Sequence, residues 1–283
     1  MVQVPNLSEW REIISRPWLL SREAFVEHRG IPVMAKGRLL GILEVFQRSP
    51  SERTTEWMTF FQTLSGQCAI AIDNILMLRN LRGANRDLEH AYDETLEGWV
   101  QALDLRDKDT QGHSLRVTEL TLRVAQAMDI HGEQLVAARR GALLHDIGKL
   151  GVPDSILHKP GALTDEEYEV MKLHPDYAFR WLWQISYLRS SVPIPYCHHE
   201  RWDGSGYPRG LSGTEIPLEA RIFAVADAWD AMTNDRPYRK PLSAETAMGE
   251  LEKGAGTQFD PEVVSTFLQV VQGQQETGER SGE

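Results

Sequence analysis

Seven residues with metal-binding side chains stand in a fixed order: His113, His145, Asp146, His174, His198, His199 and Asp227. They are strung along a stretch in which nearly everything after Leu105 carries helical periodicity. A chain that uses them together must fold so that several helices converge on one point. Apolar spacing predicts helices over 110–129, 133–149, 164–174, 176–188, 193–201, 217–234, 243–253 and 260–272. Thr164 with Glu167 three residues on is a capping-box signature. Asp260-Pro261 opens the last helix with proline in its first position. The expectation for 106–272 is an all-α bundle, followed by a polar, disordered tail over 273–283.

The donors are imidazole and carboxylate without thiolate, a set suited to Fe, Mn, Zn, Ni or Co. Five histidines and two carboxylates exceed the four ligands of a closed structural zinc site, so two metals are the natural count. Two metals about 3.5–4 Å apart can share a hydroxide and clamp a phosphoryl group for in-line attack. Asp146 is suited to bridge them. On a continuous helix 133–149, His145 and Asp146 would lie about 100° apart around the axis. Lys149, four residues after His145, would share its face. An ammonium there could stabilise equatorial oxygens or protonate a leaving oxygen if nearby cations depress its pKa.

Each residue alone also has a plainer reading. A histidine at a helix end caps or is solvated, an aspartate in an apolar helix pairs with a buried arginine, and a lysine on a last turn faces water. Only the joint order separates the readings. The same weighing applies to Gly204–Pro208 (GSGYP), first of all a turn. There Gly206 and Pro208 would bring backbone close to a ligand, and Tyr207 would offer a hydroxyl or a stacking face. Arg236 and Arg239 in DRPYRK are either a solvated pair or forks for phosphate oxygens.

Composition narrows the partners. Of 283 residues, 41% are hydrophobic and 25% charged, with a net charge of −11. That balance disfavours binding to long nucleic acid, which relies on basic surface. No run of eighteen apolar residues suggests a membrane span, and the first twenty residues do not read as a secretory signal. Cys68 and Cys197 are far apart, which excludes a disulfide framework and makes a reducing cytoplasm the expected compartment.

The first third reads differently. Residues 31–47 suggest a hairpin turning at Lys36-Gly37. A helix is expected from Thr54 to about Leu81, with Trp57, Phe61, Leu64, Cys68 and Ile72 on its apolar stripe. Arg82-Gly83-Ala84-Asn85 is a mild break before a second helix over 85–105, whose coiled-coil-like spacing predicts a homodimer. The fold class expected is therefore α+β: a small α/β region over 1–84, a connecting helix over 85–105, and the bundle.

His113, LLHDIGK, His174-Pro175, HHERWDGSGYP and VADAWDAM resemble the HD-GYP family of bacterial cyclic di-GMP phosphodiesterases, a branch of the HD-domain phosphohydrolases. The resemblance covers about 92–272. It implies His113, His145, Asp146, His174, His198, His199 and Asp227 as ligands of Fe or Mn, with Asp146 bridging. It also implies Lys149 as proton donor or phosphate-orienting group, Arg236 and Arg239 as phosphate-binding cations, and a loop at GSGYP that shapes the substrate pocket and touches diguanylate cyclase domains. Three-metal members place a glutamate four residues before the first histidine. Here that position is Asp109, one methylene shorter, which is either a third-metal ligand or an N-terminal-turn aspartate facing the helix dipole. The implied reaction converts cyclic di-GMP to linear pGpG and onward to GMP, lowering a second messenger that governs motility and biofilm. Hydrolysis of cyclic GMP-AMP and a non-catalytic sensing or docking module are the alternatives. Separately, GRLLGILEVFQ followed by the 54–81 helix resembles the C-terminal half of a GAF sensory domain with its ligand pocket shortened, which implies dimerisation or signal transmission.

Overall fold

The computed structural model describes residues 2–4, 23–49, 54–107, 112–235 and 240–280. The chain divides into two compact units, 1–90 and 91–283.

The first unit holds an antiparallel sheet of β1 (Val2–Val4), β2 (Glu27–Ala35) and β3 (Arg38–Gln47) in that order. Lys36 and Gly37 turn the hairpin with φ of 49° and 77°. Two consecutive left-handed residues match the right-handed twist of the flanking strands. Ile31 and Val33 are buried, as are Phe61 and Ala69 of α1 (Thr55–Asp107). Ser65 of α1 donates its hydroxyl to the Pro32 carbonyl at 3.0 Å.

Helix α1 replaces the two helices expected over 54–81 and 85–105, and no break occurs at 82–85. A single glycine in a helix costs about 1 kcal/mol relative to alanine. Gly83 is outweighed by the leucines, arginines and alanine around it.

The second unit is helical, as expected, and begins within α1. It continues through α2 (His113–Ala127), α3 (Gly132–Leu143), a 3-10 turn (Ile147–Gly151), α4 (Asp154–Leu157), α5 (Asp165–Met171) and α6 (His174–Leu182). A second 3-10 stretch (Ser186–Ser191) leads to α7 (Pro193–Cys197), α8 (Leu218–Thr233), α9 (Ala244–Gly254) and α10 (Pro261–Arg280). One core packs α2, α3, α8, α9 and α10 around Val117, Phe223, Trp229 and Phe267. Another gathers Leu96 and Val100 of α1 with Leu144, Ile147, Leu182 and Leu188. Leu144 and Ile147 are rooted in the second core, while the His145 ring lies 4.8 Å from Phe223 of the first. The His145-Asp146 pair thus sits where the two cores meet.

Several expected helices are cut shorter. The one over 133–149 stops at Leu143, so His145 and Asp146 occupy a turn and Lys149 does not share a helical face with His145. His174 opens a helix rather than ending one, because the preceding helix finishes at Met171. The Thr164–Glu167 capping box is present, and Pro261 does open the last helix. That helix runs past 272 to Arg280, so the polar segment read as a disordered tail is helical to that point; its Gln, Glu and Arg are good helix formers. Trp181 and Trp183 are 44% and 50% exposed. Among the described residues no helix is long and apolar enough to cross a membrane.

Candidate metal centre

The seven expected ligands come together in the second unit. His113 Nε2 lies 3.3 Å from Asp227 Oδ1, and His145 Nε2 lies 3.0 Å from Asp146 Oδ2. The other oxygen of Asp146, Oδ1, is 3.5 Å from His174 Nε2 and 3.9 Å from His198 Nε2. Ligand atoms of His174, His198 and His199 all fall within 4.8 Å of one another. One Asp146 carboxylate therefore stands between two nests of donors: His113, His145 and Asp227 on one side, the other three histidines on the other. Hard and borderline donors in this number suit two divalent cations and leave no structural-zinc pattern.

Ring orientation supports this. The Nδ1 of His145 faces the Ala142 carbonyl at 2.9 Å, that of His174 faces Met171 at 2.9 Å, and that of His198 faces Pro195 at 3.1 Å. A carbonyl only accepts, so each Nδ1 carries the hydrogen and each Nε2 lone pair is turned inward.

Close backbone approach holds the frame. A Cβ on Gly148 would stand 1.8 Å from the His174 carbonyl oxygen, and one on Gly206 would stand 2.4 Å from the Arg201 nitrogen. At both positions only glycine leaves room. Behind the GSGYP loop, buried Glu200 accepts the Arg209 and Leu211 backbone N–H groups at 2.8 and 3.0 Å. Tyr207 donates its N–H to the His199 carbonyl at 3.2 Å and stacks on the His199 ring at 4.7 Å. The metal nest opens into a cavity of about 360 Å³ that includes Lys149 and Tyr168. A neighbouring cavity of about 520 Å³ shares Tyr168, His199, Tyr207 and Asp227 and extends to Lys172, Arg201 and Gln258. His198, His199 and Asp227 line both cavities.

Electrostatics divides the cluster. Burial disfavours charge on His113, but hydrogen bonds and charge from Asp227 and Asp230 outweigh it and lift its pKa to about 10. His145 also rises, burial being overcome by Asp146. Burial, then the neighbouring histidines, press His198 down to about 3 and hold His199 well below its ordinary range. Asp146, despite burial, is held far below the usual carboxylate range by His145 and Lys149. For Lys149, burial is outweighed by Asp146 and Asp107, whose oxygens lie 2.8 and 2.7 Å from Nζ. The lysine is therefore raised, not depressed as the sequence suggested, because two carboxylates flank it.

These shifts set a pH dependence for chelator-treated protein. His113 and His145 are raised in the fold, so their contribution is complete below pH 6.5 and is lost as pH climbs through the folded values, about 10 for His113. His174, His198 and His199 are lowered, so stability is lost as pH falls below 6.5. Metal-free protein is expected to be most stable near pH 6.5. It should decline toward pH 10 by at most about 1.4 kcal/mol per pH unit per proton. Thermal melts from pH 5 to 10 read this directly, and a flat profile from 6.5 to 10 would contradict the assignment.

Asp109, Arg236 and Arg239 lie outside the described residues. Residues that sequence reading passed over are Asp107, Glu200 and Asp230. Asp230 carried a signal: it follows Asp227 by three residues in an apolar helix, so both face the same side.

Residues 99–263 match the family model described as the HD domain. The chain belongs to the HD domain family. A cyclic di-GMP phosphodiesterase of Thermotoga maritima is 45% identical over 179 residues, covering 62% of this chain and 49% of that protein. The cyclic di-GMP phosphodiesterase response regulator RpfG of Xanthomonas campestris pv. campestris is 38% identical over 192 residues, 67% of this chain and 51% of its own. The 3′3′-cGAMP-specific phosphodiesterase 3 of Vibrio cholerae is 38% identical over 200 residues, 70% and 44% respectively. Relatives of these names, with the HHERWDGSGYP segment in place, make the branch HD-GYP. The chain spans about half the length of these curated relatives. The family match begins at residue 99 and lends the GAF-like reading of the first unit no support.

Proposed function

We propose that this chain hydrolyses cyclic di-GMP to linear pGpG. The observation that carries the reading is the Asp146 carboxylate standing between two histidine nests, with the Lys149 ammonium at its edge. His113, His145 and Asp227 would hold one divalent ion and His174, His198 and His199 the other, with Asp146 shared. Fe or Mn fits the donors best, and a third ion would depend on Asp109. When bound, the metals supply an activated water and Lewis acidity toward the phosphodiester. Lys149, kept as an ammonium by Asp146 and Asp107, offers charge to the non-bridging oxygens rather than a proton to the departing 3′-oxygen. Tyr207, its phenol pushed up by burial and by Tyr168, remains a hydroxyl donor at neutral pH. Tyr207, Gly206 and Pro208 would wall the substrate cleft, with Arg236 and Arg239 gripping phosphate.

The first unit, on this reading, is a shortened GAF-like region, and the 85–105 stretch of α1 pairs with a second copy through apolar side chains left exposed, such as Leu88 and Trp99. Second-messenger removal in the cytoplasm, with effects on motility and biofilm and contact to a diguanylate cyclase through the GYP loop, would follow. A cGAMP substrate is the second reading, favoured by the Vibrio cholerae relative.

Protein reconstituted with Fe(II) or Mn(II) under reducing conditions is expected to consume cyclic di-GMP and release pGpG, followed by chromatography. Faster turnover of 3′3′-cGAMP at matched metal content would move the assignment to the second reading. No turnover of either with metal bound would make the chain a sensing or docking module.

A further inference from the structure

The His113 ring is braced differently from its neighbours. His145, His174 and His198 rest their Nδ1 on backbone carbonyls, whereas His113 Nδ1 meets a carboxylate, Asp230 Oδ2, at 2.6 Å. Asp230 is 2% exposed. Arg116 Nε donates to its Oδ1 at 2.8 Å and Arg116 Nη2 to its Oδ2 at 3.0 Å. Asn234 Nδ2 donates to Oδ1 at 2.8 Å. A carboxylate surrounded by donors accepts from every side, so His113 Nδ1 keeps its hydrogen on Asp230 and Nε2 is the nitrogen turned to the site. The arrangement repeats on two helices. Helix α2 supplies His113 and, three residues on, Arg116; helix α8 supplies Asp227 and, three residues on, Asp230. Each ligand is followed one turn later by a member of the brace.

We propose that Asp230, clamped by Arg116, is a positioning residue that orients His113 and sharpens its basicity for one of the two metals. The proposal rests on the two-metal reading above. A carboxylate partner makes an imidazole a stronger donor than a carbonyl partner does. The two metal sites are therefore unequal by construction: His113 of one is braced by a carboxylate, whereas His174 and His198 of the other rest on backbone carbonyls.

Mn(II) titration of metal-free protein by calorimetry, with metal content measured after desalting, separates the possibilities. Asp230→Asn keeps the size and removes the charge. It should weaken one Mn(II) site about 10–100-fold, the range for such outer partners, and leave the second within about twofold. Arg116→Gln, which loosens the clamp while keeping Asp230, should weaken the same site by a smaller factor. It also serves if the first variant does not fold. Unchanged affinity at both sites, or equal weakening of both, overturns the proposal, the latter because a general loss of structure would produce it. Wild-type protein that binds no Mn(II) would remove the metal-centre reading itself.

Discussion

Asp146→Asn is expected to lower hydrolysis of cyclic di-GMP by at least about a thousandfold, about 4 kcal/mol of transition-state stabilisation. The reason is geometric. Oδ2 of Asp146 faces His145 at 3.0 Å while Oδ1 faces His174 and His198 at 3.5 and 3.9 Å, so one side chain serves both donor nests. Asparagine can present one oxygen to one nest, but it turns an N–H₂ toward the other and removes the shared negative charge. On the two-metal reading, metal analysis should fall from two ions per chain to one or fewer. The chelated form should remain folded, since Asp146 carries no part of either hydrophobic core. A variant that retained both ions and more than a tenth of the activity would show that the carboxylate does not bridge.

The second large effect concerns stability. Gly148→Ala is expected to cost about 3 kcal/mol, the upper range for forcing atoms into packed space. For a unit of this size that is a fall of about 6–12 °C in Tm. The added methyl would sit 1.8 Å from the His174 carbonyl oxygen and 2.8 Å from the Ala178 nitrogen. Both are backbone, so relief requires moving α6 or the 147–151 turn, and His174 moves with α6. Loss of stability should therefore accompany weaker metal retention. Gly249→Ala on α9 is the control: nothing lies within 4 Å of its new methyl. There the change should stabilise by up to about 1 kcal/mol. Equal, small effects at the two positions would sink the packing argument.

The bundle and the gathering of its histidines were legible because helical periodicity and the order of histidines survive in one dimension. The hairpin turn at Lys36-Gly37 was legible through its turn chemistry. What was missed depends on distance in space. Nothing local announces that the helix through His145 stops at Leu143; the stop reflects the junction of two cores, with Leu144 committed to one and His145 to the other. The same loss of helix changed the environment of Lys149, placing it between Asp146 and Asp107 instead of beside His145. In helix α8, an aspartate paired with arginine was weighed as the plain alternative for Asp227. The pairing exists, but at Asp230. Gly83 shows the opposite error, a local signal for a break overridden by the helix on both sides.

The end of α1 has a bearing on modularity. Arg106 donates to the carbonyls of Lys149 and Val152 at 3.0 and 2.8 Å, and its neighbour Asp107 holds the Lys149 ammonium. Leu96, Val100 and Leu103 of the same helix are buried in the second unit. The last turns of the connector are thus building material of the candidate metal site, not a hinge leading to it. A chimera that joined a foreign input module at residue 106 would discard Leu96, Val100 and Leu103 and leave Arg106 and Asp107 without the packed helix that holds them. The transplantable piece starts inside the helix, upstream of Leu96, and any input module grafted ahead of it must deliver its chain in helical register.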